Sequence, residues 1–320
     1  MSDVVYRIGM KRKSIKKVLR EKIDEWLESI EDESVRALAK RDVIVTGGSI
    51  ASMLLGEKIN DFDIYFKTKD TTKYVADYYV KKFNQVAENK QKTEEHVTDI
   101  RPYVVEDEVT GKISIYIKSS GIAAADNEGS YNYFEMAEEG LQDSYLESVK
   151  EALEVNQEST EKGLYRPIFL SENAITLSNK IQIVIRFYGN PDEIHENYDF
   201  VHAMNYYTRN EDELVLKTEA LESLMSRTLI YKGSLFPICS LIRARKFINR
   251  RWRISAGQLL KMAFQISELD LTDQKVLKEQ LTGVDQAYFH QLLEAIKDTD
   301  PEKINSAYVS EIIDRVFGEN

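Results

Sequence analysis

Residues 43–66 read VIVTGGSIASMLLGEKINDFDIYF, and this stretch limits what the rest of the chain can build. The β-branched run Val43, Ile44, Val45 predicts a buried strand. Gly47 and Gly48 supply a tight turn, after which Ser49 is placed to cap a short helix over 50–55. Gly56 ends that helix, because glycine takes the positive φ that a helix C-terminus needs. A second strand over 61–66 carries Asp61 and Asp63. Side chains alternate along a strand, so both carboxylates share one face, ~7 Å apart, and Phe62, Ile64 and Phe66 take the other.

The 320 residues suggest two domains, and 42% hydrophobic residues are enough for a sizeable core. No internal repeat of fixed period is present. Cys239 is the single cysteine, which excludes an internal disulfide and a Cys-based zinc site; its apolar helical surroundings predict core packing. No apolar run approaches the ~20 residues of a membrane span. The polar start shows no secretory signal, so the expectation is a soluble, cytoplasmic protein without a membrane partner. A net charge of −11 disfavours broad, nonspecific nucleic-acid binding.

Residues 12–30 repeat apolar side chains at helical spacing: Ile15, Val18, Leu19, Ile23, Trp26, Leu27 and Ile30. Lys11, Arg12, Lys13, Lys16 and Lys17 form a basic run, read as a solvated helix end or a substrate-facing patch. A helix is expected over 71–86, and strands over 96–105 and 113–118. Residues 121–163 are acidic and read as an insertion or flap. Strands return in PIFLSENAITL and KIQIVIRFYG; a helical turn follows at 192–197, then a strand in YDFVHAMNYYT beginning near Asp199. Asp192 and Glu196 read as solvated charges, His195 as a surface residue, and His202 as a core or interface histidine. From residue 217 the chain is nearly all helix, with helices over 218–226, 237–249, 256–269, 273–281, 285–297 and 301–317. The composition shift near Glu213 places a domain boundary between 1–213 and 214–320.

Asp61 and Asp63 on one face repel unless a cation lies between them, and such oxygen ligands suit Mg²⁺ or Mn²⁺. Gly47, Gly48 and Ser49 open a helix, whose free N–H groups and dipole attract phosphate. A phosphate cradle beside a dicarboxylate is the equipment of phosphoryl or nucleotidyl transfer. No Ser/His/Asp arrangement suggests a hydrolase triad. Arg243, Arg245, Lys246, Arg250, Arg251 and Arg253 form a second basic run with Phe247 and Trp252 interleaved. On a helix Arg243, Lys246 and Arg250 share a face, which either contacts a triphosphate or nucleic-acid acceptor or pairs with acidic residues elsewhere.

Gly47-Gly48-Ser49 followed by Asp61-Phe62-Asp63 resembles the signature of the DNA polymerase beta-type nucleotidyltransferase superfamily. The stretch RTLIYKGSLFPICSLIRARKFINRRWRIS resembles the helical half of its phage-encoded members. The resemblance implies an α+β fold: a nucleotidyltransferase-like mixed sheet with flanking helices, followed by an all-helical C-terminal domain. It also implies a third metal-ligating carboxylate, best matched by Asp199, and a catalytic set of Asp61, Asp63 and Asp199 holding Mg²⁺ (or Mn²⁺). Gly47, Gly48, Ser49, Arg243 and Lys246 would bind the NTP. The implied activity is transfer of a nucleoside monophosphate from an NTP to an acceptor hydroxyl on RNA, protein or a small molecule. The alternative is an inactive interaction or structural protein of a phage or mobile element that keeps the fold. The tRNA-maturing members carry Arg-Asp shortly after Gly-Gly; Ile50-Ala51-Ser52 stands here, which counts against CCA addition.

Overall fold

The computed structural model describes residues 9–91, 101–116 and 165–271, with Asp273, Val276 and Gln280. The described contacts divide the chain into two compact units. One holds the residues up to Glu196 with Ala203–Ala220; the other holds Asn197–His202 and the chain from Leu221 onward.

The first unit begins with α1 (Arg12–Glu28), which buries Ile15, Leu19, Ile23, Trp26 and Leu27 on one stripe. The Trp26 indole N–H donates to Tyr79 OH at 2.8 Å, so its polar atom enters the core satisfied. Asp32 caps α2 (Glu33–Asp42) by accepting from the amides of Ser34 and Val35. Then come β1 (Val43–Thr46), α3 (Gly48–Leu55), β2 (Phe62–Phe66) and α4 (Lys69–Gln91). β3 (Tyr103–Glu106) and β4 (Ile113–Tyr116) pair antiparallel as a separate ladder. β5 (Pro167–Leu170), β6 (Ala174–Leu177), β7 (Ile181–Val184), α5 (Pro191–His195), β8 (Tyr206–Thr208) and β9 (Glu213–Val215) complete the unit.

Seven strands form one mixed sheet in the order β5-β6-β7-β2-β1-β8-β9. Its only parallel pairing among the described strands is β2 with β7. β1 lies in the interior of the sheet, and all four of its residues are buried, as its β-branched run predicts. Phe62, Ile64 and Phe66 join Val43, Val45, Ile50 and the α1 stripe in one apolar core. The architecture is therefore α+β, a mixed sheet with flanking helices.

The expected strand in YDFVHAMNYYT is mostly not a strand. Asp199 lies in a bend, Val201–Ala203 form a 3-10 turn, and the ladder starts only at Tyr206. The alternation that suggested a longer strand comes from a turn that buries Phe200, Val201 and His202 in succession. The short strand Glu213–Val215 carries too few residues for periodicity to reveal it.

In the second unit, Phe200 bridges Tyr231. α6 (Thr218–Ser226), whose residues from Leu221 belong to this unit, leads into β10 (Thr228–Leu229), which pairs in parallel with β11 (Arg253–Ile254). α7 (Pro237–Asn249) takes its proline at the start, where the missing N–H costs nothing, and α8 (Ala256–Ser267) follows. Cys239 is buried in α7. Of the helix expected over 273–281, Asp273, Val276 and Gln280 are described, with Val276 and Gln280 helical; the helices expected over 285–297 and 301–317 and the acidic segment 121–163 lie outside the described residues.

Candidate functional site

β1 ends at Thr46, and the chain turns into α3 through Gly47, whose φ of 93° and ψ of −152° favour glycine. Gly47 is the N-cap, and its amide donates to Ala203 O at 3.1 Å. Ser49 was expected to cap the helix. Instead it lies in the first turn, 2% exposed, and its hydroxyl finds no partner among the described residues. The cap passes to Gly47 because the reversal from strand to helix demands a backbone that serine rarely adopts. Gly48 opens α3 and is exposed; a Cβ built there would meet nothing within 4 Å. The first-turn amides are therefore approachable from open space. At the far end Gly56 takes φ 66°, as expected.

The acidic pair arrives on β2. Asp61 stands just before the strand and Asp63 within it, both half-buried. Asp63 is directly opposite Thr46 in the β1–β2 register, which brings the second carboxylate beside the turn that opens α3. Burial raises the Asp61 pKa above its ordinary value, opposed by a backbone hydrogen bond and the charge of Lys180. A desolvated carboxylate two residues from another is the arrangement that a divalent cation relieves.

Among the described residues, no three His, Cys, Asp or Glu side chains gather into a group able to hold a metal ion unaided. Two carboxylates still suit Mg²⁺, which keeps several waters and is usually bound through one or two carboxylates plus substrate phosphates. The donor set fits such a cation.

Asp199 belongs to the second unit, where its carboxylate accepts from Arg243 Nη1 at 2.6 Å. Arg243 is thus at least partly committed to an acidic neighbour, the plainer of its two expected roles. Lys246 is exposed on the same helix, and the Arg250 guanidinium lies over the Phe247 ring at 5.5 Å. His202 is buried as expected, packed against Phe247 and Trp252 with centroids 4.6 and 4.8 Å away.

His195 corrects the sequence expectation. Instead of lying on the surface it is 1% exposed, with Nε2 2.8 Å from Thr46 Oγ1. The signal available was Thr46 itself, a polar side chain ending an otherwise apolar interior strand. Asp192 and Glu196 are exposed, as expected.

The profile of the Gabija anti-defense 2 family proteins matches residues 17–227, about two thirds of the chain and all of the seven-stranded sheet. The chain belongs to the Gabija anti-defense 2 family. A relative bearing the family's name, "Gabija anti-defense 2" of Bacillus phage SPbetaL7, is 22% identical over 162 residues. That match covers 49% of this chain and 40% of the relative, so the chain spans less than half of the curated relative's length. Among solved structures, the Thermotoga maritima CCA-adding enzyme complexed with tRNA is similar, with a TM-score of 0.36 and 14% identity. This similarity covers 93% of this chain and 62% of the enzyme. A CCA-adding enzyme with ATP gives a TM-score of 0.39 at 13% identity, over 96% of this chain and 55% of the enzyme.

Proposed function

We propose that this chain counteracts the defence named Gabija through its first unit, which binds a Mg²⁺–NTP and transfers its nucleoside monophosphate to an acceptor hydroxyl. The observation that carries this reading is the register Thr46 opposite Asp63, which sets an acidic pair beside a glycine-opened helix start. Asp61 and Asp63 hold the cation. The amides of the first α3 turn receive phosphate oxygens, and glycine at 48 keeps that approach clear. The buried Ser49 hydroxyl, unpartnered among the described residues, supplies a further donor.

In the transfer, the acceptor oxygen bonds to the α-phosphorus, the α–β phosphoanhydride breaks and pyrophosphate leaves, while the proton of the acceptor hydroxyl passes to solvent water. The cation, when bound, neutralises phosphate charge and lowers the pKa of the attacking hydroxyl. The acceptor is an RNA, a protein or a small molecule. The family's anti-defence description and its phage relative support a setting in a host cell.

A second reading is nucleotide binding without transfer, the protein acting by interaction alone. The Asp199–Arg243 ion pair favours it, because an arginine then already engages the carboxylate expected to complete the metal set.

Incubation with each α-³²P-labelled NTP, Mg²⁺ and a host extract tests both readings. Label on an acceptor with release of pyrophosphate supports transfer. Mg²⁺-dependent binding without label supports the second reading. Absence of binding removes both.

A further inference from the structure

Four residues far apart in sequence close a ring of hydrogen bonds at the end of β1. Thr46 Oγ1 lies 2.8 Å from His195 Nε2 and 2.9 Å from the Asn205 carbonyl. His195 Nδ1 lies 3.2 Å from Lys217 Nζ, and the Lys217 amide donates to Asn205 Oδ1 at 2.9 Å. Lys217 also pairs with Asp192 at 2.6 Å.

The donors and acceptors assign every proton in this ring. Thr46 has one hydroxyl hydrogen and two carbonyl neighbours, Asn205 O and Ala203 O, which can only accept. An ammonium has no lone pair, so His195 Nδ1 accepts from Lys217. With Nδ1 accepting from the Lys217 ammonium, the hydrogen of the neutral ring lies on Nε2, so Nε2–H donates to the Thr46 hydroxyl oxygen and the hydroxyl donates to a carbonyl. His195 is held as the neutral Nε2–H tautomer between a hydroxyl and a cation.

Buried polar networks are not needed to make a sheet, and an apolar side chain at position 46 would pack an interior strand without them. This one converges on the residue that precedes Gly47 and faces Asp63. The same 203–205 segment that receives the Thr46 hydroxyl also takes the Gly47 amide through Ala203 O. Side chain and backbone of the turn are thus fixed from one place.

We propose that the Thr46–His195–Lys217–Asn205 ring is a positioning brace that sets the α3 opening against Asp63 for nucleotide phosphates. Thr46 and His195 are then positioning residues, acting through Gly47–Ser49 and not by contact with the ligand. The inference rests on the nucleotide reading above.

The test compares Thr46→Val, which keeps the shape and removes the hydroxyl, with Thr46→Ser, which keeps the hydroxyl. Lys217→Met serves as a second variant that empties the other side of His195 while leaving Thr46 in place. Mg²⁺–ATP, –GTP, –CTP and –UTP affinities are measured by calorimetry, with amide hydrogen exchange at residues 47–49 and melting temperature recorded for each. A hydrogen bond lost from a buried partner predicts roughly tenfold weaker affinity for Thr46→Val and faster exchange at 47–49, with Thr46→Ser near wild type. Lys217→Met should weaken affinity in the same direction while the protein remains folded. Wild-type binding that Thr46→Val and Lys217→Met leave unchanged overturns the brace alone, as does a Thr46→Ser variant as weak as Thr46→Val. No Mg²⁺–NTP binding by the wild type overturns the nucleotide reading, and the brace's purpose with it.

Discussion

Thr46 and Asp63 face one another across the β1–β2 ladder, so the last residue of one strand and the acidic residue of the next lie side by side. Under the proposed nucleotide reading, this register makes Asp63 a neighbour of a phosphate held at the α3 opening. Asp63→Asn should abolish Mg²⁺-dependent nucleotide binding, because the neutral amide cannot replace a hard anionic ligand. Chelation of divalent ions by EDTA should reproduce the loss in wild type and change nothing in the variant. Calorimetric titration with and without Mg²⁺ checks both.

Asp61 predicts a trade between stability and binding. Burial raises its pKa, so its charged form is costly in the protein without a cation. Asp61→Asn removes that charge at similar volume. Its melting temperature without Mg²⁺ should equal or exceed that of wild type, while the stabilisation that Mg²⁺–NTP gives wild type should vanish. Paired thermal melts report the two effects together.

The sequence showed these residues more readily than their partners. A β-branched run, two glycines and alternating Asp-Phe-Asp set strand, turn and strand within a residue or so, because each is a local preference. Glycine and serine both suit a helix N-cap, and only the turn's φ of 93° decides for Gly47 over Ser49. His195 escaped because its burial depends on contacts with Thr46 and Lys217, 149 and 22 residues away. Asp199 was read into a strand from alternation alone, whereas its segment, Asn197–His202, packs with the second unit. Periodicity reports which residues are buried, not against which unit.

Asp42 should contribute to acid stability, alongside Glu106, Glu211 and Asp212, which are also held down to about 2. Burial would raise its pKa, but hydrogen bonds from Arg41, Thr71 and Thr68 outweigh burial and bring it down to about 2. A depressed carboxylate pKa means that the unfolded chain binds the proton first. The contribution of Asp42 is therefore complete above its ordinary value of 3.8 and lost as pH falls toward about 2. Asp42→Asn should flatten the stability profile in that window. At neutral pH it should cost about 1–3 kcal/mol, because two threonine hydroxyls and a guanidinium lose a charged acceptor. Urea titrations between pH 2 and 7 measure both.

Arg243 and Lys246 separate structure from binding on α7. Arg243 holds Asp199, whose side chain is only 15% exposed, so Arg243→Ala strands a largely buried carboxylate and should destabilise the protein by about 1–3 kcal/mol. Lys246 is exposed, and Lys246→Ala should leave stability within about 0.5 kcal/mol. If the basic face meets nucleotide or nucleic acid, Lys246→Glu weakens that affinity and reduces its salt dependence at unchanged melting temperature. Unchanged affinity would leave Lys246 without a part in binding.

His202 gives the second unit its own response to pH. Burial pushes its pKa down to about 4, with Asp199 pulling it up and Arg250 pushing it further down. Its ring packs among Phe200, Phe247 and Trp252, where an imidazolium would lose its water. Unfolding frees the ring to protonate near its ordinary pKa of 6.5. In the interval between the two values the unfolded chain binds the extra proton, so stability falls as pH drops from about 6.5 to about 4. His202→Phe keeps an aromatic ring in the cluster and removes the titration. Its melting temperature should vary less than that of wild type across that interval, as followed by tryptophan fluorescence in a Trp26→Phe background that leaves Trp252 as the reporter. A variant with the wild-type slope would assign the acid sensitivity to other groups.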